Sequence, residues 1–282
     1  MITLQHTLTT LFALNGNEDK LDDEIPYVLL PDAIRRYCGP RQYSHFEEHP
    51  NNKGEISWME YPADVKNVNR EVMDSQSKYL AEGIPPCVLG ENTHIETFEE
   101  HNKHLNPKYL AGVKKHLTQD VVFDDFVREQ IDCSKKFDDE FEFKGKKYDG
   151  KGVRKLIADI ENQGLYILAY MIHKEYGITA NQEWFDKHVK QNLDREYPQD
   201  LADGTYQYMK IPEEINRRIT EGDWTHLNDG EISLKEYLEM YRKVVMRMPE
   251  IDEERRLKEL GIDRSKKIDD VDNNDAPDLS EH

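Results

Sequence analysis

The pattern that most constrains the fold runs from Gly152 to Tyr176, the longest apolar helical segment in the chain. It offers Leu156, Ile160, Leu165, Leu168, Ala169 and Ile172 at helical spacing, and within it Gly164-Leu-Tyr-Ile-Leu-Ala-Tyr-Met-Ile-His173 is strongly apolar. Such a helix must be covered by neighbours, which places it at the centre of a bundle. Further helical patterns cover 3–14, 21–37, 63–81, 97–104, 181–193, 212–222 and 233–248, and Pro107 opens another that carries His116 and Asp120. Pro40 to Pro62 reads as a long turn-rich connection, and Gly83-Ile-Pro-Pro86 breaks the chain again. Phe137-Asp-Asp-Glu-Phe-Glu-Phe-Lys-Gly-Lys-Lys-Tyr-Asp149 alternates aromatic and charged residues around Lys-Gly, the mark of a short exposed hairpin. The expected class is therefore mostly α, a multi-helix bundle with a small β-hairpin near 137–149.

A chain of 282 residues can bury a sizeable core. One helical domain is expected over 1–250, followed over 251–282 by a terminal helix and a disordered tail, because Ile268 to His282 is acidic and almost without apolar residues. The net charge of −19 argues against an extended grip on nucleic acid, which needs basic surface to displace counterions. Mean hydropathy of −0.87 and the lack of an eighteen-residue apolar run argue against a membrane span. The N-terminus lacks a basic region followed by a long apolar core, and Cys38, Cys87 and Cys133 show no metal-type spacing. Cytoplasmic residence is the expectation; oligomeric state is left open.

The chemistry-bearing residues lie mostly in the first half. His116-Leu-Thr-Gln-Asp120 puts an imidazole and a carboxylate on one face of a helix, the usual way a helix presents two ligands to one divalent ion. On its own this spacing is also that of an ordinary surface pair. His6 sits near the buried side of the N-terminal helix. Asp32 follows the apolar run Ile25-Pro-Tyr-Val-Leu-Leu-Pro31, where a carboxylate is costly to bury without a cation or strong donors. His45 stands between aromatics in Tyr43-Ser-His-Phe46. Asp124 continues the His116–Asp120 face as a further ligand or an acceptor behind one. His173 reads equally as a ligand or a packed core histidine.

In this order and setting, His6, Leu29-Leu-Pro-Asp32, Ser44-His45-Phe46 and His116-x-x-x-Asp120 resemble the zinc-dependent phospholipase C superfamily, which includes single-strand-specific nucleases. The resemblance covers roughly the first 130 residues. It implies a helical fold, one or two zinc or other divalent ions, and hydrolysis of a small phosphorylated substrate by metal-activated water. It further implies that Asp32, His45, His116 and Asp120 hold the principal ion, that His6 and a bridging Asp120 help to hold a second, and that Asp32 orients the attacking water. The chain departs from the family in beginning Met1-Ile2 rather than with a Trp whose amino group binds metal. A second departure is that Gly177 stands four residues after His173, where a further Glu ligand belongs.

Three other patterns were weighed. Asp229-Gly-Glu-Ile-Ser-Leu-Lys-Glu236 has the outline of half a calcium loop, but Thr225 and Leu227 occupy its first ligand positions, so Ser233 and Glu236 read instead as a helix-capping box. Gly54-Glu-Ile-Ser-Trp-Met-Glu60 echoes the same shape with Lys53 in a ligand position. His94, His101 and His104, with acidic neighbours, read as a polar solvated helix beside the cleft. The rival to an enzyme is a non-enzymatic binding protein on the same fold with a degraded metal site; a third reading is a helical interaction protein whose His and Asp residues never converge.

Overall fold

A computed structural model of the chain describes residues 1–38, 41–48, 54–63, 66, 92–132 and 137–248. The helix read over 63–81, the Gly83–Pro86 break, Cys87, Cys133 and the terminal segment 251–282 lie outside the described residues. The described part is mostly α-helical with one small antiparallel hairpin, the class that the sequence pattern predicts.

Helix α1 spans Thr3–Ala13 and α2 spans Glu18–Val28. The Asn17 side chain caps α2 by accepting the Lys20 N–H, and Glu18 and Asp19 sit at its positive end. The single helix expected over 21–37 is in fact two. Pro31 has no N–H to offer the Tyr27 carbonyl, so the ladder is interrupted and α3 (Leu30–Cys38) begins with Pro31 and Asp32 in its first turn. Within the region read as a turn-rich connection, Arg41–His45 forms a short helix, α4, and the chain then makes isolated bridges from Glu47 to Thr93 and from Glu48 to Ile56.

Helix α5 covers Ile95–His101 and α6 covers Pro107–Gln130; Asn106 caps α6 through the Tyr109 N–H, with Pro107 at its first position. Strands β1 (Phe141–Phe143) and β2 (Lys146–Tyr148) pair with Phe141 opposite Tyr148. Their two-residue turn, Lys144-Gly145, has positive φ at both positions, which the right-handed twist of a tight hairpin favours. Helix α7 (Gly150–Tyr176) opens on the Asp149 cap and closes on Gly177 in the left-handed conformation. After it come α8 (Gln182–Phe185), a π turn (Asp186–Lys190) and α9 (Gln191–Glu196), where one continuous helix was expected. Helices α10 (Gln199–Tyr206), α11 (Glu213–Glu221) and α12 (Leu234–Arg247) complete the order; α10 had no counterpart in the sequence reading. Ser233 and Glu236 do form a capping box at the start of α12.

Helix α7 buries Val153, Ile160, Leu165, Leu168 and Ile172 within the core. Its partner α1 packs on α7, α2, α6 and α12, so almost all of α1 is buried, polar residues included. Gly164 permits the approach: a Cβ there would lie 2.7 Å from the Tyr241 hydroxyl. The Gln5 side chain uses the space to donate to the Glu161 carbonyl at 2.9 Å. These packings bring α1, α3 and α4 against the middle of α6. No described helix is long and apolar enough to cross a membrane.

Candidate metal centre

His116 and Asp120, four residues apart on α6, are both fully buried, as are His6 from α1 and His45 at the end of α4. Asp32, in the first turn of α3, is partly buried and faces the same point. All five side chains singled out in the sequence therefore converge. His116 Nε2 lies 3.1 Å from His45 Nε2 and 3.3 Å from Asp120 Oδ2. His45 Nε2 lies 3.5 Å from Asp120 Oδ2 and 3.6 Å from Asp32 Oδ1. An ion bound tetrahedrally by nitrogen and oxygen at about 2.0–2.1 Å holds its ligand atoms about 3.3 Å apart. The four separations, 3.1–3.6 Å, lie near that figure, and Asp32, His45 and His116 bring one ligand atom each within 4.8 Å of the others. A second trio, His6, His116 and Asp120, brings one ligand atom from each residue within 4.8 Å of the others.

The proton positions agree with this use. The Arg41 carbonyl can only accept, and it lies 3.2 Å from both the Ser44 hydroxyl and His45 Nδ1, with Ser44 Oγ 2.8 Å from the same nitrogen. His45 Nδ1 therefore carries the hydrogen, leaving the Nε2 lone pair toward the cluster. Burial, reinforced by Arg41, pushes the His45 imidazole down to about 3, and burial with the neighbouring His116 also lowers His6. Both are neutral at pH 7, the form that ligates metal. His6 Nε2 lies 3.2 Å from Asp120 Oδ1 but without hydrogen-bond geometry, and His116 Nδ1 also has no hydrogen-bond partner. His6 and His116 stack with ring centroids 3.7 Å apart.

The acidic groups are held by cations already on the chain. The Asp120 carboxylate accepts the Met1 α-ammonium on Oδ1 at 3.0 Å and Arg41 Nη2 on Oδ2 at 2.8 Å. Arg41 also donates from Nε to Glu47 at 2.6 Å. Burial alone would raise the Asp120 carboxyl, but Arg41, the α-ammonium and the imidazoles outweigh it and hold it well below the usual range. Asp32 follows the same pattern: burial pushes upward, and the contact with His45 and the neighbouring His116 and His6 rings prevail and hold it well below the usual range. Asp124, with Arg41 no nearer than 3.9 Å, is pushed by burial up to about 6, and burial likewise raises Glu161 and Glu47.

A cleft of about 480 Å³ opens onto this cluster, lined by Thr3, Asp32, Arg35, Arg41, Glu161 and Tyr208 among others. Thr3 donates to Asp32 Oδ2 at 2.8 Å, which leaves Oδ1 toward His45. The lining of the cleft thus carries two carboxyl groups, of Asp32 and Glu161, and two guanidinium groups, of Arg35 and Arg41.

His173 does not join the site. It lies twelve residues beyond Glu161 on α7, about 18 Å along the helix, and packs on Trp224 at 5.5 Å. Asp124 stays outside both donor groups and pairs loosely with Arg41. The histidines read as a polar cluster separate: His101 stacks on Trp58 at 3.8 Å, and His104 Nε2 bonds the Tyr61 carbonyl at 2.9 Å. Sequence reasoning missed Arg41, Glu47, Gln119 and Glu161. Only Arg41 left a trace, its i to i+4 spacing with His45; Glu47 and Gln119 adjoin His45 and Asp120 in sequence without any pattern that marks them, and Glu161 comes from a distant helix. No family model, no curated protein and no solved structure matches the chain.

Proposed function

We propose that this chain is a metal-dependent hydrolase of phosphate esters, acting on a small phosphorylated substrate in the cytoplasm with one or two zinc or other divalent ions. The observation that carries the reading is the convergence of Asp32, His45, His116 and Asp120, with donor separations of 3.1–3.6 Å, beside a cleft that Asp32 lines together with two arginines. Two imidazoles and two carboxylates form a donor set that suits zinc. His6 extends the set toward a second ion that shares Asp120. When bound, such an ion supplies Lewis-acid activation of water and neutralises charge on the phosphoryl oxygens.

The chain's own residues supply the rest. Asp32, fixed by Thr3 through one oxygen, turns the other toward the cluster and orients a water for attack. Its low proton affinity makes it an orienting acceptor rather than a proton store. Exposed Arg35 and partly exposed Arg41 hold the phosphoryl group from the cleft wall and exclude neutral substrates. The acidic chain makes these cations a local exception, which favours a compact phosphate ester over a long polyanion.

A non-enzymatic binding protein with a degraded metal site is the second reading. Its support is that the Met1 ammonium and Arg41 already neutralise Asp120. Elemental analysis of the purified protein, followed by turnover of chromogenic phosphodiesters and monoesters with and without chelator, separates the two. Chelator-sensitive turnover supports the hydrolase. Bound metal without turnover across the panel supports the rival, and absence of metal after zinc loading overturns the metal reading itself.

A further inference from the structure

We infer that Gln119 is a positioning residue: with Thr10 it commits the His6 imidazole to the Nδ1–H tautomer and so leaves Nε2 unprotonated beside Asp120. The consequence for metal binding rests on the hydrolase reading above; the tautomer itself does not.

The assignment follows from counting hydrogens. Thr10 Oγ1 lies 2.7 Å from the His6 carbonyl oxygen, which can only accept, so the single hydroxyl hydrogen of Thr10 is spent there. The Gln119 side chain meets the same Oγ1 at 3.1 Å, and the only group it can offer an occupied hydroxyl is its NH2. That fixes which way the amide points, with the Met248 sulfur, another acceptor, 3.8 Å from the same nitrogen. The opposite end, Gln119 Oε1, then faces His6 Nδ1 at 2.7 Å and has no hydrogen to give. Nδ1 must donate. In a neutral ring that is the only N–H, so Nε2 is unprotonated.

Geometry closes the alternatives. Thr10, Gln119 and His6 are wholly buried, so no water competes for these groups, and the His116 ring stacked at 3.7 Å opposes a flip of the imidazole. The bare Nε2 then stands 3.2 Å from Asp120 Oδ1 without a hydrogen between them, two electron-rich atoms opposed in a buried site. A cation between them relieves that opposition. Gln119 directly precedes Asp120 on α6, so the residue that sets the His6 tautomer is covalently joined to the second ligand. This is the role that groups behind metal-binding histidines play in general, and losing one typically costs 10–100-fold in affinity.

Two measurements on the full-length protein test the inference. In metal-free protein labelled with 15N-histidine, long-range 15N–1H correlations at neutral pH are expected to show His6 as the Nδ1–H tautomer. An Nε2–H tautomer or a mixture of the two overturns the proposal whatever the protein does with metal. Competition with a chromophoric chelator then compares zinc affinity. Gln119→Met, which keeps the bulk and removes the acceptor, is expected to weaken binding by about 10–100-fold. Thr10→Val, which frees the amide to turn, is expected to weaken it less and to give a tautomer mixture at His6. Wild-type affinity in folded Gln119→Met protein overturns the metal role; should that variant not fold, the tautomer observed in Thr10→Val decides. Failure of the wild-type protein to take up zinc sinks the hydrolase reading while the tautomer measurement still judges Gln119.

Discussion

Arg41 Nη2 lies 2.8 Å from Asp120 Oδ2, the same carboxylate oxygen that stands 3.3 Å from His116 Nε2 and 3.5 Å from His45 Nε2. On the proposed metal reading, a guanidinium and a divalent ion would draw on one oxygen. Two unit charges 4 Å apart exchange about 4 kcal/mol at an effective dielectric of 20, so removing the guanidinium strengthens ion binding noticeably. Arg41→Met is expected to bind zinc about tenfold more tightly, a change of ~1.4 kcal/mol. It is also expected to lose ester turnover, because the cleft loses a phosphate-binding cation. Chelator competition and an ester assay on one preparation check both halves; weaker zinc binding would show that Arg41 supports the site rather than competing for it.

Asp120→Asn is expected to abolish bound metal and activity together. It also strands the Met1 ammonium and Arg41 without their carboxylate, at a cost of about 3–5 kcal/mol typical of a broken buried pair. Elemental analysis of the folded fraction is decisive, and undiminished metal there rejects Asp120 as a ligand. His173→Ala, packed on Trp224 away from the cluster, is the matching control and is expected to leave metal content unchanged.

Asp124 sets a pH dependence in the metal-free protein. Its folded carboxyl takes up a proton near pH 6 against 3.8 for an unfolded one, so between these values the folded chain binds more protons. Its contribution is a cost that is full above pH 6 and disappears as the pH falls toward 3.8. Asp124→Asn removes that cost. The variant is expected to be more stable than wild type at pH 7.5 by ~1–3 kcal/mol, and the advantage is expected to shrink through pH 5. Denaturant midpoints across pH 4.5–8 measure it; an advantage independent of pH would mean that Asp124 is not the group titrating.

Gly112 marks where α6 presses on α2. A Cβ there would lie 2.7 Å from the Tyr27 carbonyl carbon and 2.9 Å from the Val28 nitrogen, both backbone atoms that cannot swing aside. Gly112→Ala is expected to destabilise the fold by about 1–3 kcal/mol despite Ala's better helix propensity. Thermal unfolding reads the outcome, and a raised midpoint would contradict so close a helix contact.

At the other end of the chain, Ser233 accepts the Glu236 N–H while Glu236 returns a bond to the Ser233 backbone. Ser233→Ala is expected to cost about 1 kcal/mol with no change in metal content. A stability loss accompanied by metal loss would show that α12 supports the centre.

The class of fold and some of the helix starts were legible because they depend on neighbours in sequence. The apolar run of α7 dictates burial, Pro107 and Ser233 announce helix starts, and Lys144-Gly145 announces a hairpin turn. His116 and Asp120 were legible for the same reason, being one helical turn apart. Pro31 could have revealed the division of α2 from α3, since it lacks the hydrogen that the continuous helix needs. The π turn at Asp186–Lys190 has no such local signal.

What the sequence alone determined, then, was a helical chain carrying His6, Asp32, His45, His116 and Asp120 in positions that make burial costly. Only the tertiary structure decided that they meet, that His173 does not join them, and that Arg41 and Gln119 lie against Asp120 and His6. The physical reason is distance. A capping bond or a helical face involves a few adjacent residues, whereas His6 Nδ1 and Gln119 Oε1 are 113 positions apart and become partners at 2.7 Å only when α1 is packed against α6.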